Sequence, residues 1–141
     1  MGTCAGETPM GLTIKAAVAG AVAYVVLDGV WLGLLMKHFY RGQLAPIARL
    51  AEGGIAPNWP ATIVVYILLG TGIALFVIPR AVTVSSAAAF GALFGVVVYG
   101  VYDFTNYATL RQWPFVLTLV DLAWGAMASA VAAMLVWIVA R

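Results

Sequence analysis

Charge is scarce in this chain. Of 141 residues, 9% are Asp, Glu, Lys or Arg, while 65% are hydrophobic. A water-soluble domain carries about a quarter charged residues, so the surface such a fold needs is missing. Seven basic and five acidic residues, a formal net charge of +2, are too few and scattered to follow a nucleic-acid backbone. Cysteine occurs once, as Cys4 ahead of the first apolar run, which excludes an internal disulfide and a cysteine-built zinc site. Histidine also occurs once, as His38, and that excludes bis-histidine haem and multi-histidine di-iron sites. No glycine-rich phosphate loop and no convincing Ser–His nucleophile pair is present.

What the chain does have is long apolar runs, with a mean hydropathy of +1.06. A transmembrane helix needs about 20 mostly apolar residues. Four segments qualify: 12–36, 60–79, 82–107 and 114–140. The expected fold is therefore all-α, an integral membrane four-helix bundle. Residues 1–11 read as an N-terminal extension and 12–141 as a single four-span domain. Lys15 and the small residues after it resemble a signal peptide, but the apolar run continues to Met36, so an uncleaved first helix is expected. The linkers 80–81 and 108–113 are short, making consecutive helices antiparallel neighbours. The 37–59 connection mixes His38, Phe39, Tyr40, Leu44, Ile47 and Leu50 with Arg41 and Arg49. It reads as a short helix in the interface plane, ended by Gly53-Gly54.

Four spans place both termini on one side of the membrane, here the terminal side, opposite a loop side carrying 37–59 and 108–113. Lys15, Arg80 and Arg141 mark the terminal side; Lys37, Arg41, Arg49 and Arg111 mark the loop side. That near-balance leaves orientation open under the positive-inside rule. Tyr24-Val-Val-Leu-Asp28 resembles Tyr99-Gly-Val-Tyr-Asp103, and each is followed by a Trp-Pro helix start, Trp59-Pro60 and Trp113-Pro114. A duplicated hairpin and common membrane-protein grammar explain this equally well.

Three of the five acidic residues, Asp28, Asp103 and Asp121, fall inside the apolar runs. A carboxylate in hydrocarbon is costly and normally faces a bundle interior, a partner or water. Asp28 precedes Lys37 by nine residues, roughly 13 Å at 1.5 Å per residue. Asp103 precedes Arg111 by eight residues and Asp121 follows Pro114 by seven, so all three lie in the loop-side half. Helical spacing groups Tyr24, Asp28 and Trp31; Tyr99, Asp103, Asn106 and Tyr107; and Thr118, Asp121, Trp124, Gly125 and Ser129. Gly125 and Ser129 would admit a close helix neighbour. Phenol, indole and amide donors suit a buried carboxylate that lacks a counter-ion. Three readings stay open: a ligand or catalytic site, an ion path, and a structural role in which Asp103 pairs with Arg111. His38, joined by Asp28, Asp103 and Asp121, is a weak candidate for an oxygen-rich metal site. At a helix end it reads more readily as a headgroup contact.

The stretch Tyr102-Asp-Phe-Thr-Asn-Tyr-Ala-Thr-Leu-Arg-Gln-Trp-Pro114 is distinctive. Together with Leu27-Asp-Gly-Val-Trp-Leu-Gly33, Phe39-Tyr-Arg41, Pro57-Asn-Trp59 and Leu119-Val-Asp-Leu-Ala-Trp-Gly125, it resembles the bacterial membrane family called domain of unknown function 2177. The resemblance runs from about Leu12 to Arg141 and implies a four-helix membrane protein with no established activity. Members tend to be encoded near genes for modified membrane fatty acids and oxidative-stress sigma factors, which implies a lipid-related role. The family pattern falls on Asp28, Trp31, Tyr40, Asn58, Tyr102, Asp103, Asn106, Trp113, Asp121 and Trp124.

The expectation is thus a multi-pass protein of a bacterial cytoplasmic membrane with a loop-side polar pocket. Asp28, Asp103 and Asp121 are the catalytic candidates. Tyr24, Trp31, Tyr40, Asn58, Tyr102, Asn106, Trp113 and Trp124 are the ligand-binding candidates for a lipid-like or quinone-like molecule. No particular cofactor is implied, and the partners expected are the bilayer, such a ligand, and a membrane partner or second copy of the chain. The alternatives are a small transporter or ion-path protein and an accessory subunit of a membrane complex.

Overall fold

The computed structural model describes residues 8–140; Cys4, Arg141 and most of the N-terminal extension lie outside the described residues. Four helices are long and apolar enough to cross a membrane: Pro9–Leu35, Trp59–Arg80, Val84–Thr109 and Phe115–Ala140. Each begins within three residues of the run read from the sequence. With its apolar outer faces exposed, the chain is an all-α, multi-pass membrane protein.

Helix α1, Pro9–Val30, starts where Thr8 accepts a hydrogen bond from the Gly11 N–H at 3.1 Å, with Pro9 in the first turn. It continues as a wider π-type turn, Trp31–Leu35, before the chain folds back at Met36 into α2, Lys37–Leu44. Helix α2 ends at Leu44, well before the expected stop. Gly53 and Gly54 instead serve a small hairpin, β1 (Leu50–Ala51) and β2 (Gly54–Ile55), at φ of +99° and +137°. L-residues with a side chain avoid that backbone region, which is why glycines stand there. Asn58 then caps α3, Trp59–Gly72, accepting from the Ala61 N–H at 3.3 Å. That span also loosens, through a π segment at Ile73–Val77 and a 3₁₀ turn at Ile78–Arg80 containing Pro79. Thr83 and Ser86 form a reciprocal capping box for α4, Val84–Thr109, and α5, Phe115–Ala140, follows Pro114.

Small residues bring the helices together. A Cβ on Gly95 would lie 2.0 Å from the Gly125 carbonyl oxygen, and one on Gly91 would lie 2.5 Å from that of Ser129. Helices α4 and α5 therefore touch backbone to backbone. On the other flank Gly70 of α3 fits against Ala17 and Ala21 of α1. Helix α5 also packs on α1, so it forms the centre of the bundle, between α1 and α4. Such contacts supply the dispersion that drives helix association where lipid removes the hydrophobic drive. The resulting core is divided by depth. Its polar members lie between the bundle middle and the loop side. Toward the terminal side the buried residues Ala16, Ile73, Val77, Ala132, Ala133 and Val136 are all apolar.

Candidate functional site

Polar side chains from all five helices converge in the loop-side half. Asp28 of α1 accepts a hydrogen bond from the indole N–H of Trp124 on α5 at 2.8 Å, and Tyr66 of α3 lies beside the same carboxyl group. The Trp124 ring stacks on Trp31 with centroids 4.3 Å apart and planes 4° from parallel. Trp31 in turn donates its N–H to the Tyr40 hydroxyl at 3.0 Å, and Tyr40 donates to Asp121. Asp121 faces Asp103 across the α4–α5 contact. The π turn makes this ladder possible. It closes the first span and the chain then turns at Met36, so that Tyr40 comes back over Trp31 nine residues later.

Tyr40 lies outside the spans and is buried. Burial first, and the Asp121 carboxylate next, push its phenol above the ordinary range, so it remains a neutral donor. Asp103 is 0% exposed, yet neither carboxyl oxygen meets a donor among the described residues. The pairing with Arg111 that the structural reading offered is not made. Arg111 is exposed on the α4–α5 loop, and Asp103 points inward at α5.

Other candidates fall around this ladder. Tyr24 is fully buried at the middle of the bundle, hydrogen-bonded to Ser129. Trp113 is buried, donates to the Thr118 hydroxyl at 3.1 Å, and packs with Tyr40 and Leu117. Tyr102 is 57% exposed, meets Trp113 edge-on at 5.8 Å, and lies beside Asn106. Asn58 is exposed and spends its side chain on the α3 cap, so the structure does not bring it into the cluster. The weak metal candidate is corrected. His38 is exposed in the first turn of α2, while the inward position of that helix is taken by Tyr40. Among the described residues no three His, Cys, Asp or Glu side chains gather in a metal-holding group. Tyr66 was missed as a site residue, although a lone phenol inside the apolar run 60–79 was the signal for it. Gly91-x-x-x-Gly95, a small-residue spacing typical of close helix pairs, was missed as well.

Beyond Trp113, on the loop side, lies an open depression of about 440 Å³ lined by Tyr107, Thr109, Leu110, Arg111 and Trp113. A second hollow, wholly apolar, runs between α1 and α5 along Val22, Val26, Leu135 and Val139.

A family model described as a predicted membrane protein (DUF2177) matches residues 13–138. The chain belongs to this family. No curated protein and no solved structure matches it. In this DUF2177 protein the matched region takes in every aspartate, tyrosine and tryptophan of the ladder. The family description names a membrane protein and no reaction, so the chemistry rests on the geometry of the cluster.

Proposed function

We propose that this protein takes up a lipid-like or quinone-like molecule from the loop-side leaflet and presents its polar end to Asp103 and Asp121. The observation that carries this reading is the position of Trp113. One part of the residue lines the loop-side depression with Tyr107 and Arg111, and it packs on Tyr40, whose hydroxyl reaches Asp121. A single indole thus stands between the carboxyl pair and a hollow at headgroup depth. Arg111 supplies a positive charge at that mouth, suited to phosphate oxygens. Inside, a carboxyl group without a donor offers acceptors for a ligand hydroxyl or amine. The apolar core below Tyr24 and Ser129 favours this reading over transport, because among the described residues no fully buried polar side chain continues toward the terminal side. The location that goes with the proposal is the cytoplasmic membrane of a bacterium.

The test is lipid and quinone profiling of a strain lacking the gene, complemented with wild type, D103N, D121N or W113F at matched membrane abundance. Wild type should restore an altered profile, and the two aspartate variants should fail while keeping wild-type melting temperatures. An unaltered profile in the deletion strain overturns the proposal. Collapse of the fold in both aspartate variants does so too, since it makes the carboxyl groups structural.

A further inference from the structure

We infer that Asp103 and Asp121 together hold one proton, as a carboxylic acid hydrogen-bonded to a carboxylate, and so form a proton-binding site in the loop-side half of the membrane. This stands whether or not a lipid binds at the cluster. Asp103 is wholly buried and its two oxygens meet no donor among the described residues. The group facing it is another carboxyl, Asp121, which already accepts the Tyr40 O–H.

Among the described residues the surroundings supply no cation. From α4 the nearby groups are Tyr102 and Asn106, and from α2 it is Tyr40. Helix α1 contributes Asp28, a third acid, and the π turn after it contributes Trp31, whose N–H is taken by Tyr40. Helix α3 contributes Tyr66, which faces Asp28. On α5 the Thr118 hydroxyl accepts from Trp113. Two adjacent anions in this setting repel strongly, before either has been desolvated. One proton removes that repulsion and at the same time supplies the donor that Asp103 lacks. It belongs on Asp103, because the Tyr40 O–H already stabilises Asp121 as the anion. Two carboxyl groups sharing one proton is a recurrent solution where like charges are forced together, and the proton leaves in a step that belongs to the pair. The site is thus an acid and a base in one place, six residues below the loop-side end of α4.

The test is infrared spectroscopy of the full chain in lipid nanodiscs at neutral pH, in H₂O and D₂O, for wild type, D28N, D103N and D121N. Wild type should show the carbonyl stretch of one protonated carboxylic acid, shifted downward in D₂O. D28N should keep that band and D103N should lose it. Because an Asn N–H replaces the acid O–H as donor to Asp121, D103N should melt within a few degrees of wild type. Absence of the band in wild type overturns the inference, even if D103N does not fold. So does its loss in D28N alone, or the presence of two acids that D103N and D121N each halve. Melting of wild type that depends on sodium, with no acid band, would assign the pair to a metal cation instead.

Discussion

Tyr40 links Trp31 to Asp121, and it does so from outside the spans. Its hydroxyl accepts from Trp31 and donates to Asp121, so Y40F removes a donor and an acceptor together. Leaving buried polar groups unsatisfied costs about 1–3 kcal/mol each, so Y40F should lower the unfolding free energy by that order. Chemical unfolding in mixed micelles reads this directly, and an unchanged midpoint would mean water replaces the hydroxyl. The phenol also predicts a pH dependence. Its folded-state pKa is raised by burial and by Asp121, so the folded protein holds that proton more tightly than the unfolded chain. The contribution is therefore complete below the ordinary phenol value of about 10 and is lost only as pH climbs above it. Absorbance titration of folded wild type and Y40F should give equal tyrosinate amplitudes up to about that pH. A deficit of one tyrosinate in Y40F would show that Tyr40 ionises early.

At the scale of elements, the α4–α5 pair depends on the absence of side chains. G95A sets a methyl group 2.0 Å from the Gly125 carbonyl oxygen and 2.6 Å from the Ser129 hydroxyl, against backbone that cannot swing aside. Overpacking of this kind costs about 1–3 kcal/mol or more, and it would also part Asp103 from Asp121. G100A, one turn on, meets only the end of Leu122 at 3.4 Å and should be tolerated. Equal thermal stability of the two variants would contradict this packing. The spans were legible in the sequence because lipid demands an unbroken apolar run, and two of their starts were marked by Trp59-Pro60 and Trp113-Pro114; the caps Thr8 and Thr83 were not read. The loop-side depth of the three aspartates was legible too, from their distance to the nearest basic residues. The π turn at Trp31–Leu35 was not, because nothing in Trp-Leu-Gly-Leu-Leu distinguishes a wide turn from an ordinary one. The pairing of Asp103 escaped for a related reason. Arg111 is the nearest cation along the chain, but the glycine contacts set which face of α4 meets α5, and that face turns Asp103 toward Asp121.

In the molecule as a whole, a polar half rests on an apolar half. Among the described residues Tyr24 and Ser129 mark the end of the fully buried polar side chains, and mostly aliphatic side chains fill the core from there to the terminal side. Reconstituted in liposomes under a proton or sodium gradient, the protein should dissipate neither faster than empty vesicles do. Flux that D103N abolishes would make the apolar half permeable and remove this reading. The division also has an electrical consequence. Asp103 lies six residues, or about 9 Å at 1.5 Å per residue, inside the loop-side end of α4. In a hydrocarbon core about 30 Å thick, that is at most a third of the voltage drop. A full elementary charge crossing the membrane gains about 2.3 kcal/mol per 100 mV, so one reaching Asp103 from the loop side gains about 0.7. Most of the field falls across the small aliphatic residues instead. A potential of about 100 mV therefore changes proton occupancy at the carboxyl pair by only roughly threefold, at about 1.36 kcal/mol per tenfold, so the loop-side pH should govern it more than the membrane potential does.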